Sequence, residues 1–131
     1  MRFLRFLAVI ATAASILTST TDAMAADDQR FPDIVGVKVR AQGPGAFDFD
    51  VTVSSPYDTP RRYADAFRVL GKDGTVYGER ILLHDHAGEQ PFTRDLYGVK
   101  IPEGVRAVMI QGRDREHGYG GKTMDIALPG R

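Results

Sequence analysis

Short segments in which apolar and polar residues alternate recur along this chain, and they constrain its fold more than any other feature. In the clearest segment, Phe47–Val53, four apolar side chains alternate with Asp48, Asp50 and Thr52. Side chains of a strand point alternately to its two faces, so this pattern predicts a strand with one buried and one solvated face. No segment shows the helical period of 3.6 residues, so we expect an all-β protein.

Glycine, proline and Asp-Gly turns separate these segments at intervals of about 8 to 12 residues, which is typical of β-sandwiches. Tyr63–Leu70 could also form a short helix, but its apolar residues Phe67 and Val69 share the parity of a strand. The predicted fold is a single antiparallel immunoglobulin- or fibronectin-like β-sandwich, with Phe67 in its core. Its seven predicted strands are Ile34–Ala41, Phe47–Ser54, Tyr63–Leu70, Thr75–His84, Thr93–Ile101, Val105–Arg113 and Lys122–Leu128.

Residues 1–25 have the organisation of a secretory signal peptide. Arg2 and Arg5 precede the apolar run Phe6–Leu17, which is shorter than the roughly 20 residues needed to span a bilayer. The small residues of a cleavage site follow at positions 23–25. The alternative is an uncleaved N-terminal anchor, which the polar residues after the run disfavour. We therefore expect export to the periplasm or the extracellular space. The predicted divisions are a signal peptide (1–25), a polar lead-in (26–32) and a sandwich domain (33–131).

The remainder of the chain is nearly neutral and contains no cysteine. The predicted signal peptide holds two of the 17 basic and one of the 17 acidic residues, which leaves a net charge near −1. This charge provides no long-range attraction to nucleic acid, and we expect no membrane insertion after signal cleavage. Without cysteine there is no disulfide and no thiolate nucleophile, and the missing lipid acceptor at the cleavage site excludes a lipoprotein.

The stretches YADAF (63–67), HDHAGEQPFTR (84–94) and HGYGG (117–121) resemble a family of short exported bacterial proteins of unassigned function. The resemblance covers roughly Phe47–Pro129 and rests mainly on the two histidine-containing stretches. It implies export and a compact β domain, and it implies no chemistry. This chain departs from the family pattern at Phe67, where tryptophan is expected, and at Asp85, where proline is expected. The backbone between the first two histidines is therefore less restricted.

Strand order predicts that three loops meet at one end of the sandwich. Successive antiparallel strands run in opposite directions, so strands two, four and six end on the same side. The loops there are Ser55–Arg62, Asp85–Phe92 and Arg115–Gly121. All three histidines of the chain fall at this end, whereas the opposite end has the short turns GPG, KDG and PEG. Loops on a rigid scaffold often bind ligands, so this end is the predicted working surface.

These observations favour an exported binding or accessory module whose partner is an unidentified protein or small ligand. Its predicted surface carries the histidines together with Asp58, Asp114 and Tyr119. An enzyme is less favoured, because a sandwich of this size leaves little room for a deep pocket. The sequence gives no indication of oligomeric state.

The alternative is a zinc- or copper(II)-binding protein that uses His84, His86, His117 and Glu89. Residues two apart on a strand point to the same face, so His84 and His86 would present two imidazoles together. Imidazole ligands without thiolates suit these two metals. A His-x-His pattern is a weak signal, however, and histidines in loops more often form hydrogen bonds that hold the loop.

A small hydrolase is the third hypothesis. Its nucleophile would be Ser54, Ser55 or Thr93, and none of these lies in a motif such as G-x-S-x-G.

Other polar and glycine-rich stretches have structural explanations. Gly118, Gly120 and Gly121 predict a loop over Glu116–Gly121 that exposes Tyr119. The acidic face of Phe47–Val53 is expected to be solvated. Phe92 is expected to be buried, with Glu89 and Gln90 bonding to loop backbone.

Overall fold

A computed structural model describes residues 28–131, and the predicted signal peptide lies outside this range. The described residues form an all-β structure of seven strands, which confirms the predicted β-sandwich. The strands are β1 (Asp33–Ala41), β2 (Ala46–Ser54), β3 (Ala64–Leu70), β4 (Val76–Ile81), β5 (Phe92–Lys100), β6 (Ala107–Asp114) and β7 (Gly118–Ala127). Within this range no helix is long and apolar enough to cross a membrane.

The strands form two antiparallel sheets that pack face to face. One sheet has the order β1-β2-β5 and the other has the order β4-β3-β6-β7. In constant immunoglobulin domains the fourth strand joins the sheet of the first, second and fifth. Here β4 pairs with β3 instead, so the arrangement is the fibronectin-like variant of the predicted sandwich.

The core lies between the sheets and is made by the inward side chains of the alternating segments. Phe49, Phe67 and Phe92 are among its largest fully buried side chains. The predicted burial of Phe67 and Phe92 is therefore confirmed. Such aromatic side chains bury more apolar area than any other residue type, which compensates for the absence of disulfides.

The two open corners of the sandwich are each bridged from a side chain of one sheet to the backbone of the other. At the corner of β1 and β7, the Lys122 amide donates to Asp33 Oδ1 at 2.8 Å. At the corner of β4 and β5, Arg80 Nη1 donates to the Asp95 carbonyl at 2.8 Å. These bonds occupy backbone groups that edge strands otherwise leave unpaired.

The fourth strand ends earlier than the alternation predicts. Pairing of β4 with β3 stops at Ile81 opposite Ala66, and the predicted extension to His84 is wrong. One further backbone bond follows this pairing, in which the amide of the buried Leu82 donates to the Asp65 carbonyl at 2.8 Å, and the chain beyond Leu82 is loop. The two histidines of the His-x-His stretch therefore lie on a loop, and strand geometry does not orient them.

The predicted glycine-rich loop is instead mostly strand, since β7 begins at Gly118. Phe31 and Pro32, which precede β1, lie directly on the backbone of β6 and β7. A Cβ atom on Gly120 would lie 2.6 Å from Phe31 Cδ1, and one on Gly112 would lie 2.7 Å from Pro32 Cγ. Such approaches exclude side chains, so these glycines allow the lead-in segment to pack closely against the sheet.

The prediction of a solvated acidic face on β2 is wrong at Asp48, which is buried. The β2–β5 register shifts between Phe47 and Phe49, and Gly98 on β5 has a φ of 66°. The Asp48 carboxylate fills this irregularity by accepting from the Gly98 amide at 2.8 Å and from Gln42 Nε2 at 2.6 Å. The Asp48 carboxylate therefore stabilises a β-bulge and is not part of a solvated face.

Candidate functional site

The three predicted loops do meet at one end of the sandwich, which we call the loop pole (residues 55–63, 82–91 and 115–117). The His86 amide donates to Asp58 Oδ2 at 2.9 Å, and the Ser55 amide donates to Gln90 Oε1 at 2.7 Å. The strand ends Ser54, Phe92 and Asp114 all lie beside this end. The predicted clustering of these loops is thus confirmed.

Asp58 fixes the first two loops to each other. Besides the His86 amide, its carboxylate accepts from the Ala64 amide at 3.0 Å, and the side chain is buried. Both bonds stabilise loop backbone at the edge of the core. Asp58 was predicted to lie on a binding surface, but its burial makes it a support for that surface.

Asp114 fixes the third loop in a similar way. Its Oδ2 atom accepts from the amides of Glu116 and His117 at 3.0 and 2.8 Å, and its Oδ1 atom lies 3.3 Å from Arg62 Nε. The Asp114 side chain is 0% exposed. Arg62 in turn donates from Nη2 to the carbonyls of Gln29 and Arg30 at 2.6 and 2.8 Å. This charged pair therefore joins the third loop to the lead-in segment, and Asp114 is not an accessible binding residue.

Tyr57 closes the base of the same region. Its hydroxyl is buried without a hydrogen-bond partner in the described part of the chain. Burial raises the pKa of this hydroxyl, and the nearby Asp114 carboxylate raises it further. Tyr57 is therefore neutral at any physiological pH and acts as a packing residue.

The two histidines of the His-x-His stretch have different environments. Their ring centroids are 4.9 Å apart, but His84 is exposed and His86 is buried against Phe92 at a ring distance of 3.9 Å. The His84 Nδ1 atom is 2.8 Å from the Asp85 carbonyl, which can only accept, so neutral His84 presents an unprotonated Nε2 to solvent. The Nδ1 atom of His86 is buried with no partner among the described residues.

The buried His86 ring makes the stability of the loop pole dependent on pH. Burial lowers the pKa of His86, with Arg94 and His84 adding to the effect and Asp58 and Glu89 opposing it. Because the pKa of His86 is lower in the folded state, neutral His86 makes its full contribution to stability above the unfolded pKa of about 6.5. This contribution is lost as the pH drops below that value.

We expect the melting temperature to fall between pH 7 and pH 5, and His86→Phe to flatten this fall while keeping the stacking on Phe92. Circular dichroism melts at several pH values measure both effects. His117→Phe is the control. Because His117 is exposed, its replacement should leave the fall in melting temperature unchanged. An equal fall in the wild type and in His86→Phe would contradict this assignment.

The predicted metal ligands do not assemble into one centre in the part of the chain that the structure describes. No group of three or more His, Cys, Asp or Glu side chains between residues 28 and 131 could hold a metal ion. His117 packs edge-on to Phe31 at 6.2 Å, and Glu89 pairs with Arg94 at 3.2 Å. Arg94 lowers the pKa of Glu89 by this hydrogen bond. The geometry provides no observation that favours the zinc or copper(II) hypothesis.

Two of the three hydroxyl groups proposed as nucleophiles, those of Ser55 and Thr93, bond to groups other than histidine. Ser55 is buried and its Oγ atom is 3.2 Å from Gln90 Nε2. Thr93 pairs with Thr52 at 2.8 Å on the outer face of the three-stranded sheet. Gln90 also donates to the His86 carbonyl at 3.1 Å, which confirms its predicted bonding to loop backbone. Ser55 and Gln90 therefore organise the loop pole, and neither Ser55 nor Thr93 is paired with a histidine base.

Tyr119 lies on β7 just beyond the loop pole, with its ring on the outer face of the four-stranded sheet. Its ring is stacked 3.6 Å from the Arg68 guanidinium, and its hydroxyl bonds to Glu79. Partial burial and this carboxylate raise the pKa of the hydroxyl. Tyr119 is thus integrated into a charged network across the sheet and is not an exposed recognition residue in a loop.

Two open depressions lie at the opposite end of the sandwich. They have volumes of about 380 and 450 Å³, and Arg106 lines both of them. Lys72 and Tyr77 border the first, and Gly43–Gly45 border the second. Sequence inspection missed them, because each turn is unremarkable alone and the depressions form only where separate turns lie side by side.

A comparison with known proteins gives one informative relative. No protein-family model matches the chain, and no solved structure matches it. A protein of Halomicrobium mukohataei named "Putative lipoprotein" is 37% identical over 99 residues. The aligned residues are 76% of this chain and 48% of the relative, so the match spans about half of that protein. At this identity and coverage the two proteins are homologues.

Proposed function

We propose that the protein is an exported β-sandwich module whose target contacts the exposed residues of the loop pole. The observation that supports this proposal most is that the buried and the exposed side chains of the loop pole have different roles. Buried groups such as Asp58, Asp114 and Gln90 hold the three loops, while His84, Glu89 and Leu83 remain exposed on the same loop. Loops held in one conformation lose little entropy on binding, which favours recognition.

The homologue supports export, since lipoproteins act outside the cytoplasm. This chain differs from such a protein in one respect, because none of its 131 residues is a cysteine that could carry a lipid. We therefore propose that the signal peptide is cleaved after Ala25. The likeness of the two histidine-containing stretches to a family of exported proteins supports the same conclusion.

Site-specific photocrosslinking in the exporting cell tests the binding surface. A photoreactive phenylalanine analogue at His84 should capture the target. The same analogue at Lys72, which is exposed at the opposite end, should not. Crosslinks from Lys72 alone would show that the depressions bind the target and would contradict the proposal. Mass spectrometry of the purified protein checks export separately, because the processed chain should begin at Ala26.

A further inference from the structure

An exposed apolar cluster lies at the outer side of the loop pole. The Leu83 side chain is 84% exposed, and Ile81 is 45% exposed. Leu82 between them is buried, so Ile81 and Leu83 project to the same outer side. The Tyr63 hydroxyl donates to the Leu83 carbonyl at 3.4 Å, which places this aromatic residue beside them. We call Tyr63, Ile81 and Leu83 the apolar tip.

The apolar tip has the composition of a membrane-interface contact. Aliphatic side chains partition into the acyl boundary, while tyrosine and arginine prefer the headgroup level. The guanidinium of Arg115 lies 5.4 Å from the centre of the Tyr63 ring, and Arg115 is exposed. Asp85 and Glu116 also lie near this end, and their negative charges oppose an attraction to anionic lipid.

The N-terminal part of the chain leaves the domain at the same end. Asp33, the first residue of β1, pairs with Ser54 at the loop pole, and Arg62 holds the carbonyls of Gln29 and Arg30 there. Residues 18–27 separate Asp28 from the apolar run Phe6–Leu17. Ten residues reach at most about 35 Å. While the run is in a membrane, the loop pole is therefore the end of the domain through which the chain is joined to the bilayer.

We infer that the loop pole faces a lipid membrane and that the apolar tip inserts Leu83 into its interface. This inference rests on the proposed function and names the partner of the same surface. The contact is shallow and requires no spanning segment. Because it is apolar, it operates on neutral phosphatidylcholine and depends little on salt. One leucine contributes roughly a tenfold change in partition, so the contact orients a chain that the leader already holds nearby.

The chain has no tryptophan, so a single introduced tryptophan reports its own environment. The full chain is synthesised without cells in the presence of phosphatidylcholine vesicles, so that residues 1–25 remain attached. Leu83→Trp should show blue-shifted emission and be quenched by brominated lipid. Val76→Trp is the matched control, because Val76 is 47% exposed at the far end of β4, the strand that precedes the Leu83 loop. Its emission should stay that of a solvated tryptophan.

A second measurement uses the processed chain and vesicle flotation. Leu83→Asp should lower the vesicle partition coefficient of the processed chain roughly tenfold relative to wild type, whereas Val76→Asp should not. Circular dichroism melts verify that each variant is folded. If Leu83→Trp and Val76→Trp behave alike on vesicles, the lipid proposal is overturned. If His84 then still crosslinks to a protein, the proposed binding surface stands and only its assignment to lipid fails.

Discussion

Gly121→Ala is expected to destabilise the domain by about 3 kcal/mol or more, because it adds a steric clash to an unfavourable backbone conformation. Gly121 has a φ of 80°, and a Cβ atom there would overlap the carbonyl oxygen of Pro32. This oxygen belongs to the backbone and cannot rotate away. The lead-in segment would have to leave β7, and the packing of Phe31 on Gly120 would be lost with it.

Gly118→Ala separates the steric clash from the cost of the backbone conformation. Gly118 has a nearly identical φ of 83°, but nothing lies within 4 Å of the Cβ position. Its replacement should cost only the backbone term of about 1 to 2 kcal/mol. Urea unfolding of both variants provides the comparison. Equal losses at the two positions would show that the lead-in segment does not pack on β7 in solution.

Asp114→Ala should lower the free energy of unfolding by about 3 to 5 kcal/mol, because it leaves the Arg62 guanidinium without its buried partner. The substitution also removes the acceptor of the Glu116 and His117 amides. The Asp114 side chain is 0% exposed and the Arg62 side chain is 21% exposed, so water replaces the lost bonds only in part. The third loop and the lead-in segment should loosen together.

Asp95→Ala is the matched control for this prediction. Asp95 pairs with Arg80 at 3.0 Å, closer than Asp114 to Arg62, but the Asp95 and Arg80 side chains are 44% and 36% exposed. A solvated pair of this kind contributes at most about 1 kcal/mol. Urea unfolding measures both variants, and hydrogen exchange of the residue 115–117 amides should accelerate only in Asp114→Ala. A larger loss in Asp95→Ala would contradict the role assigned to burial.

The strands could be predicted from the sequence wherever one face is buried and the other solvated. Phe47–Val53 alternates because its inward side chains fill the core, and β2 extends from Ala46 to Ser54. The start of β7 could not be predicted in this way. Glycine has no side chain to alternate, so a strand selected for close approach of Phe31 and Pro32 has the composition of a turn.

The location of the candidate site was predictable, whereas the role of each residue was not. Strand direction alone brought the three loops to one end. Whether an acidic residue there is exposed depends on contacts between distant positions, such as that of Asp58 with the His86 amide. Such pairs cannot be predicted from the local sequence. The same limit explains why Asp114 and Tyr119 could be named but not correctly placed.

The two bridges at the open corners of the sandwich have a consequence for behaviour at high concentration. Each occupies a backbone group that a neighbouring molecule could use to extend a sheet. A folded edge with a free donor or acceptor is a template for intermolecular pairing, independently of how stable the core is. In this protein, Asp33 and Arg80 therefore each cover a backbone group through which a neighbouring molecule could extend a sheet.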